Sequence, residues 1–108
     1  MNKRFRVNYS PEAYEDLTSI YTYIALHLKA VDTAKKQTGR IRKEIQVLNE
    51  MPERYAPVEW EPWHSMGMRK LSVNNSVVYY LVDLEVLCVN IIRIFYGGRD
   101  VESIATER

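Results

Sequence analysis

Three runs of β-branched and aromatic residues near the end of the chain dominate its hydrophobic pattern. Val, Ile, Tyr and Phe are typical of strands, and the residues between the runs, Asn74-Asn75 and Asp83–Glu85, favour turns. We therefore predict three strands: Met68–Val73, Ser76–Val82 and Val86–Tyr96. The last two runs do not alternate apolar with polar positions, which indicates a sheet that is covered on both faces.

Two amphipathic patterns precede these strands and predict helices. The first helix begins after Ser10-Pro11, an N-cap residue followed by proline at the first helical position. Its apolar residues recur every three or four positions and form one stripe: Ala13, Leu17, Ile20, Tyr21, Ile24 and Leu28. The second helix is expected to be capped by Asp32, and Pro52 ends it. Its stripe comprises Ala34, Ile41, Ile45, Leu48 and Met51.

An N-terminal strand completes the predicted fold. Phe5, Val7 and Tyr9 alternate with polar residues, as in a strand with one buried face. The predicted order is therefore β-α-α-β-β-β, an α+β fold in which a helical hairpin covers one face of a four-stranded, mostly antiparallel sheet. The segment 52–65 carries aromatic side chains that are expected to cover the core: Tyr55, Trp60 and Trp63.

Composition limits the class of protein. At 108 residues, with 46% hydrophobic and 27% charged residues, the chain resembles an ordinary globular domain, and we expect residues 1–108 to form a single domain. A net charge of +1 means that anion binding would need a local patch. The single cysteine, Cys88, is expected to be a buried, unreactive side chain in a reducing compartment. Because no apolar run is long enough to span a membrane, we expect a cytoplasmic protein.

Cations in the C-terminal strands are the main candidate functional groups. Arg69 and Lys70 open the first of these strands, Arg93 lies near the end of the third, and Arg99 follows it. We expect the start of the first strand and the end of the third to be neighbours, which would bring the three arginines to one end of the sheet as an anion-binding cluster. The alternative for Arg93 and Arg99 is an internal ion pair with Asp100.

A second group of cations lies on the second predicted helix. The group contains no acid: Lys35, Lys36, Arg40, Arg42 and Lys43. It could be a face for a polyanion or an ordinary solvated helix face, and the near-zero net charge favours the solvated face. We interpret His27 as a packing residue at the helix edge. His64 precedes the strand that Arg69 begins and is better placed for chemistry, although a catalytic role is not favoured for it either.

The order and spacing of several segments resemble the RelE/ParE superfamily of toxins from bacterial type II toxin–antitoxin systems. The segments are YSPEAYEDL, IYTYIA, RIRKEIQVLNEMPERY, GMRKL, VVYYLVD and VNIIRIFYGGRD, and they cover nearly the whole chain. The resemblance implies one RelE/ParE-like toxin domain over residues 1–108, without a metal or cofactor. It also implies a growth-arresting toxin that a cognate antitoxin neutralises in a toxin–antitoxin hetero-oligomer.

Two mechanisms occur in this superfamily. Toxins similar to RelE cut messenger RNA in the ribosomal A site without metal, and use basic side chains to stabilise the charge that develops on phosphate. Toxins similar to ParE bind and poison DNA gyrase. If the chain is a nuclease, the resemblance implies catalytic roles for Arg69, Arg93, Tyr96 and Arg99. The residues expected to bind RNA or another target are Lys70, His64, Lys36, Arg40 and Lys43.

Two departures from the nuclease pattern favour a gyrase inhibitor. Val77 stands where the nucleases place an arginine on the middle strand, and Phe95 stands where some place a histidine. Neither side chain can donate a hydrogen bond to phosphate or accept a proton. We therefore expect a ParE-like inhibitor of DNA gyrase, with a RelE-like nuclease as the alternative. A degenerate toxin that only binds its antitoxin is the third hypothesis.

Overall fold

The computed structural model describes residues 4–97 and confirms the predicted α+β fold and its β-α-α-β-β-β order. The elements are β1 (Arg6–Tyr9), α1 (Pro11–Thr22), α2 (Val31–Gln46), β2 (Arg69–Val73), β3 (Ser76–Asp83) and β4 (Cys88–Tyr96). A π-helical turn, Tyr23–His27, extends α1, and the 3-10 turns Val47–Asn49 and Pro52–Arg54 follow α2. Arg99, Asp100 and the rest of the C-terminal segment lie outside the described residues.

The four strands form one sheet in the order β1-β4-β3-β2. β2, β3 and β4 are an antiparallel meander, and β1 pairs in parallel with only the first half of β4, from Cys88 to Ile91. The register of β3 with β4 shifts in the middle, because Tyr80 pairs with Ile91 and Tyr79 with Arg93. Ile92 therefore has no partner on β3, which is the geometry of a β-bulge.

Both faces of the sheet are covered, as the lack of alternation in the last two strands predicted. The helical hairpin packs on one face, which we call the helix face, around Tyr80 and Ile91. On the opposite face, which we call the loop face, Trp60 and Trp63 pack over a small cluster: Val58, Met68, Tyr79 and Phe95. The predicted covering role of the aromatic segment is confirmed, with Tyr55 on the helix face.

The start of α1 is fixed by the predicted cap. The Ser10 hydroxyl accepts a hydrogen bond from the Ala13 amide at 2.9 Å and donates one to the Ile92 carbonyl at 2.8 Å, so it ties the helix to β4. The prediction that Leu28 belongs to the buried stripe is wrong, since this side chain is 52% exposed. The π-helical turn before it inserts a wider turn, which moves Leu28 out of line with Ile20 and Ile24.

Both ends of α2 differ from the prediction. Asp32 is not the cap: Ala30 takes that position without a side-chain hydrogen bond, and Asp32 lies in the first turn. Met51 is not part of the buried stripe, because the chain takes a left-handed conformation there (φ 51°) and leaves the side chain 69% exposed. Leu48 is the last buried apolar residue before this reversal.

The turns between strands follow the chemistry of their residues. Asn74 has a positive φ of 53°, and the Asp83 carboxylate accepts hydrogen bonds from the amides of Glu85 and Val86 at 3.0 and 3.3 Å. β4 begins at Cys88, two residues later than predicted, and Cys88 is only partly buried. Neither helix among the described residues has the length and apolar character of a membrane span.

Gly39 lies exposed in the middle of α2, and no atom lies within 4 Å of the position that a Cβ would occupy. Since glycine in a helix interior costs about 0.5–1 kcal/mol relative to alanine, we expect Gly39→Ala to raise the free energy of unfolding by about that amount. Urea unfolding monitored by circular dichroism measures the change. A lower free energy of unfolding for Gly39→Ala would contradict the prediction, because it would mean that the added methyl group clashes with the protein.

Candidate functional site

Arg69, the first candidate, is bound within the protein. Its Nη1 donates hydrogen bonds to the carbonyl oxygens of Glu53, at 3.0 Å, and Tyr55, at 2.5 Å. Its Nη2 lies 4.0 Å from the Glu53 carboxylate, and the side chain is 23% exposed. Arg69 therefore anchors the loop that follows α2 to the edge of the sheet.

The same loop is held at a second point in the core. The Tyr80 hydroxyl donates a hydrogen bond to the Pro52 carbonyl at 2.7 Å, and both residues are buried. Burial raises the pKa of Tyr80 to about 12, while the nearby Arg69 guanidinium acts in the opposite direction. The phenol therefore stays a neutral donor well above physiological pH.

Arg93 is held by a carboxylate from α1 that sequence reasoning did not assign to it. Its Nε and Nη2 donate to the two carboxylate oxygens of Asp16 at 2.7 and 3.0 Å, and the Ile94 amide donates to Asp16 at 2.9 Å. Asp16 is 14% exposed. It thus occupies the edge of β4 beyond the end of β1, where the strand has no partner on that side.

The prediction that the start of β2 and the end of β4 are neighbours is wrong. Because β2 and β4 both run antiparallel to β3, they are parallel to each other, so the start of β2 is not near the end of β4. Arg69 is level with Ile91, and Tyr96 is level with Val73, four residues further along. Arg69 and Tyr96 are therefore about 13 Å apart along the strand direction, whereas Arg93 is level with Lys70, the residue after Arg69.

The two arginines also lie on different faces. Arg69 pairs with Tyr80, whose side chain is on the helix face, and Arg93 pairs with Tyr79, whose side chain is on the loop face. Residues that are directly opposite in a pair share a face. The two side chains therefore leave the backbone toward opposite sides of the sheet, and the Arg93 guanidinium lies at the edge of β4, where it meets Asp16 of α1.

The loop face around Arg93 is apolar and aromatic. Tyr79 lies 5.8 Å from Phe95 and 6.4 Å from Trp60, centroid to centroid, and burial raises the pKa of Tyr79 to about 12. The Arg93 guanidinium lies 4.7 Å from the Phe95 ring, and the Lys70 ammonium 5.9 Å from the Trp60 ring. Val77 adds another apolar group. Such a surface suits packing or cation–π contacts better than phosphate chemistry.

Tyr96 lies on the helix face among aromatic neighbours. Its ring centroid is 6.1 Å from that of Tyr23, which stacks on His27 at 5.4 Å. Arg99, the fourth candidate for catalysis, lies outside the described residues. Tyr96 and Arg93 leave the same strand toward opposite faces of the sheet, and Tyr96 is level with Val73, four residues beyond Arg69.

His64 holds the aromatic loop in place. Its Nδ1 is 2.8 Å from the Val58 carbonyl oxygen, a distance that fits an Nδ1–H donor. Glu61 and Ser65, which lie before and after His64, close a turn. The Ser65 hydroxyl and amide donate to the Glu61 carboxylate, and these hydrogen bonds lower the pKa of Glu61. Its packing role accounts for the contacts that the structure shows.

The cations of α2 lie on the exposed side of the helix, away from the buried residues Ala34, Ile41 and Ile45. The cations are Lys35, Lys36, Arg40, Arg42 and Lys43. Arg40 pairs with Glu44 at 3.7 Å. Within residues 4–97 there is no group of three His, Cys, Asp or Glu side chains that could hold a metal ion.

Asp16 is the residue that sequence reasoning missed. It lies three residues after Ala13 and four before Ile20, both of which are buried, so it borders the apolar stripe of α1. A carboxylate beside a buried stripe is itself partly buried, so it needs a cation or a hydrogen-bond donor on the sheet against which the helix packs. The position of Asp16 between Ala13 and Ile20 was therefore the sequence signal that could have predicted a buried partner for it.

The sequence and the fold both match known toxins. Residues 7–101 match the family described as the ParE toxin of the type II toxin-antitoxin system, parDE. The chromosomal ParDE TA system from P. aeruginosa has a similar structure, with a TM-score of 0.69 and 21% identity; the match covers 89% of this chain and 99% of that one. No curated protein matches the sequence significantly.

Two RelE structures share the fold as well. The archaeal RelE-RelB complex from Pyrococcus horikoshii OT3 has a TM-score of 0.61 and 16% identity, covering 90% of this chain and 99% of that chain. The isolated E. coli RelE toxin has a TM-score of 0.54 and 18% identity, covering 96% and 97%. At such identities the structural likeness concerns the fold alone. The family match, in contrast, spans most of the sequence, and the chain belongs to the ParE toxin family of type II toxin–antitoxin systems.

Proposed function

We propose that this toxin arrests growth in the cytoplasm by binding DNA gyrase, and that a cognate antitoxin neutralises it. The observation that carries the proposal is the internal engagement of the two arginines that a nuclease would need. Arg69 donates to loop carbonyls, and Arg93 is bound by the Asp16 carboxylate at the edge of β4. An inhibitor that acts by binding needs no such cluster.

The loop face supports the same proposal. A nuclease of the RelE type stabilises charge on phosphate with cations on the sheet, but Val77 and Phe95 make this surface apolar. Lys70 is the cation that remains at its rim, next to Trp60. A surface with an aromatic centre and a cationic rim is typical of protein–protein recognition.

The antitoxin partner is inferred from the relatives, whose structures include a ParDE system and a RelE-RelB complex. The tip of the helical hairpin offers it an apolar surface, since the large side chains there are exposed: Tyr23, Leu26, Leu28 and Val31. An antitoxin segment that folds on binding would cover such a surface as a helix in an apolar groove. The result would be a toxin–antitoxin hetero-oligomer.

A parallel assay of the full chain on gyrase and on translating ribosomes tests the proposal. We expect inhibition of DNA supercoiling at a stoichiometric ratio of toxin to gyrase, and intact messenger RNA in the purified translation reaction. Adding the antitoxin should restore supercoiling. Tyr96→Phe serves as a matched variant, because loss of one hydroxyl should leave gyrase inhibition unchanged within about twofold, a change of under about 0.5 kcal/mol.

The alternative is a ribosome-dependent nuclease, and the observation that favours it is the similarity of the fold to RelE structures. Cleavage of messenger RNA in the A site that is slowed at least tenfold by Tyr96→Phe or Arg99→Ala, with supercoiling unaffected, would establish the nuclease and reject the inhibitor. If neither target responds and expression without antitoxin is harmless, the chain is a degenerate toxin that only binds its antitoxin.

A further inference from the structure

α2 carries an unusual arrangement of charge around its exposed glycine. On a helix surface the nearest neighbours of a residue are three and four positions away. For Gly39 these neighbours are Lys35, Lys36, Arg42 and Lys43, and all four are exposed cations. We refer to Gly39 and these four residues as the Gly39 patch.

The cations of the Gly39 patch have no carboxylate partner in the part of the chain that the structure describes. Among the described residues, the ion pair that involves α2 joins Arg40 and Glu44, at the side of the patch. Asp32 lies at its N-terminal end, one turn before Lys35 and Lys36, and forms no ion pair within 4.0 Å of them. The charge of the patch is therefore available to a partner.

The glycine itself leaves the helix backbone open at the centre of these charges. A Cβ at Gly39 would contact nothing, so packing within the protein does not explain why a residue with poor helix propensity stands there. Glycine in an ordered element is used where a ligand or another backbone approaches closely. The Gly39 patch thus combines a shallow opening with a surrounding ring of positive charge.

We propose that the Gly39 patch binds the phosphate backbone of duplex DNA. From Lys35 to Arg42, and from Lys36 to Lys43, each row spans about 10 Å of helix, given a rise of 1.5 Å per residue. Phosphates of one strand follow each other every ~3.4 Å along the DNA axis, so two or three of them fit within that length. The adjacent helix is acidic: α1 carries Glu12, Glu15 and Asp16 and no cation, which confines the attraction to α2.

An acidic protein segment fits this surface less well. Protein partners are held mainly by large apolar or aromatic anchors in pockets, and between Asp32 and Gln46 no large apolar side chain of α2 is exposed. Phosphate, in contrast, needs only cations and a close approach.

The proposal does not depend on gyrase as the target, because the patch lies on the outer side of the helical hairpin, away from the loop face.

Fluorescence anisotropy with a labelled duplex of mixed sequence tests the proposal on the full chain. With four phosphate contacts we expect the association constant to fall about 100-fold between 50 mM and 200 mM salt. The quadruple variant Lys35→Gln, Lys36→Gln, Arg42→Gln, Lys43→Gln should lose at least about tenfold in affinity at low salt. A matched variant removes the same charge elsewhere and should stay within about threefold: Arg4→Gln, Arg6→Gln, Lys29→Asn and Arg54→Gln.

A single substitution avoids reliance on the quadruple variant. Gly39→Glu keeps all four cations and places a carboxylate among them, so we expect at least about a tenfold loss of DNA affinity, whereas Ser19→Glu on α1 should change it by less than about threefold. Circular dichroism checks that each variant is folded. Unchanged binding by Gly39→Glu, equal losses in both quadruple variants, or tighter binding of a polyglutamate peptide than of DNA would each overturn the proposal.

Discussion

Replacing Asp16 by alanine should lower the free energy of unfolding by about 3 kcal/mol. The carboxylate accepts two hydrogen bonds from Arg93 and one from the Ile94 amide, and it is largely buried. Removing one partner of a buried ion pair leaves the other without compensation, and here a backbone amide loses its acceptor as well. Urea unfolding of the full chain measures the loss.

A double-mutant cycle with Arg93→Ala separates the ion pair from the capping of the strand edge. We expect a coupling energy of about 1–2 kcal/mol between Asp16 and Arg93, with the remaining cost of Asp16→Ala assigned to the Ile94 amide. Glu15→Ala is the control, since Glu15 is exposed on the same helix and should change stability by less than about 0.5 kcal/mol. Equal effects of Asp16→Ala and Glu15→Ala would contradict the structural role.

Replacing Arg69 by alanine should lower the free energy of unfolding by about 2 kcal/mol. Its guanidinium donates to the carbonyl oxygens of Glu53 and Tyr55, and hydrogen bonds from charged donors contribute about 1.5–3 kcal/mol. Because these bonds fix the loop that leads to Trp60, the loop face should become more accessible as well. Thermal unfolding and the fluorescence of the two tryptophans report both changes.

Lys70→Ala is the matched control for Arg69→Ala. Lys70 is the next residue on β2, carries the same charge and is exposed, so its removal should cost less than about 0.5 kcal/mol. If Arg69 instead acts on a phosphate, Arg69→Ala would leave the stability unchanged and abolish messenger RNA cleavage. That pair of results would restore a catalytic role to Arg69 and weaken the gyrase proposal.

The substitutions at Asp16 and Arg69 test whether the residues of this region stabilise the fold or act on a target, a question that family likeness alone does not answer. The resemblance predicts catalytic roles for the arginines of β2 and β4, yet the contacts that the structure shows for them are those of structural residues. In the described part of the chain, the cations of the Gly39 patch remain without carboxylate partners. Stability measurements on Arg69 and Arg93 and binding measurements on α2 therefore test different parts of the molecule.

The site was predicted less well than the fold, because the register of β3 with β4 shifts at a β-bulge. Along a regular strand, Arg93 would share a face with Val89 and Ile91. The bulge at Ile92 adds one residue, so the side chains after it change sides and Arg93 pairs with Tyr79 on the loop face. No local pattern in the sequence marks this bulge, because Ile91, Ile92 and Ile94 are equally apolar.

The chain by itself determined the type and order of its elements, since helix and strand periods and cap residues act within a few positions of each other. The order of its segments also determined the toxin superfamily. Only the tertiary structure decided which charged groups meet: Asp16 and Arg93 are 77 residues apart, and Arg69 finds its acceptors in a loop that has no regular period. Such contacts depend on strand register and on the direction of neighbouring strands, which are properties of the assembled sheet.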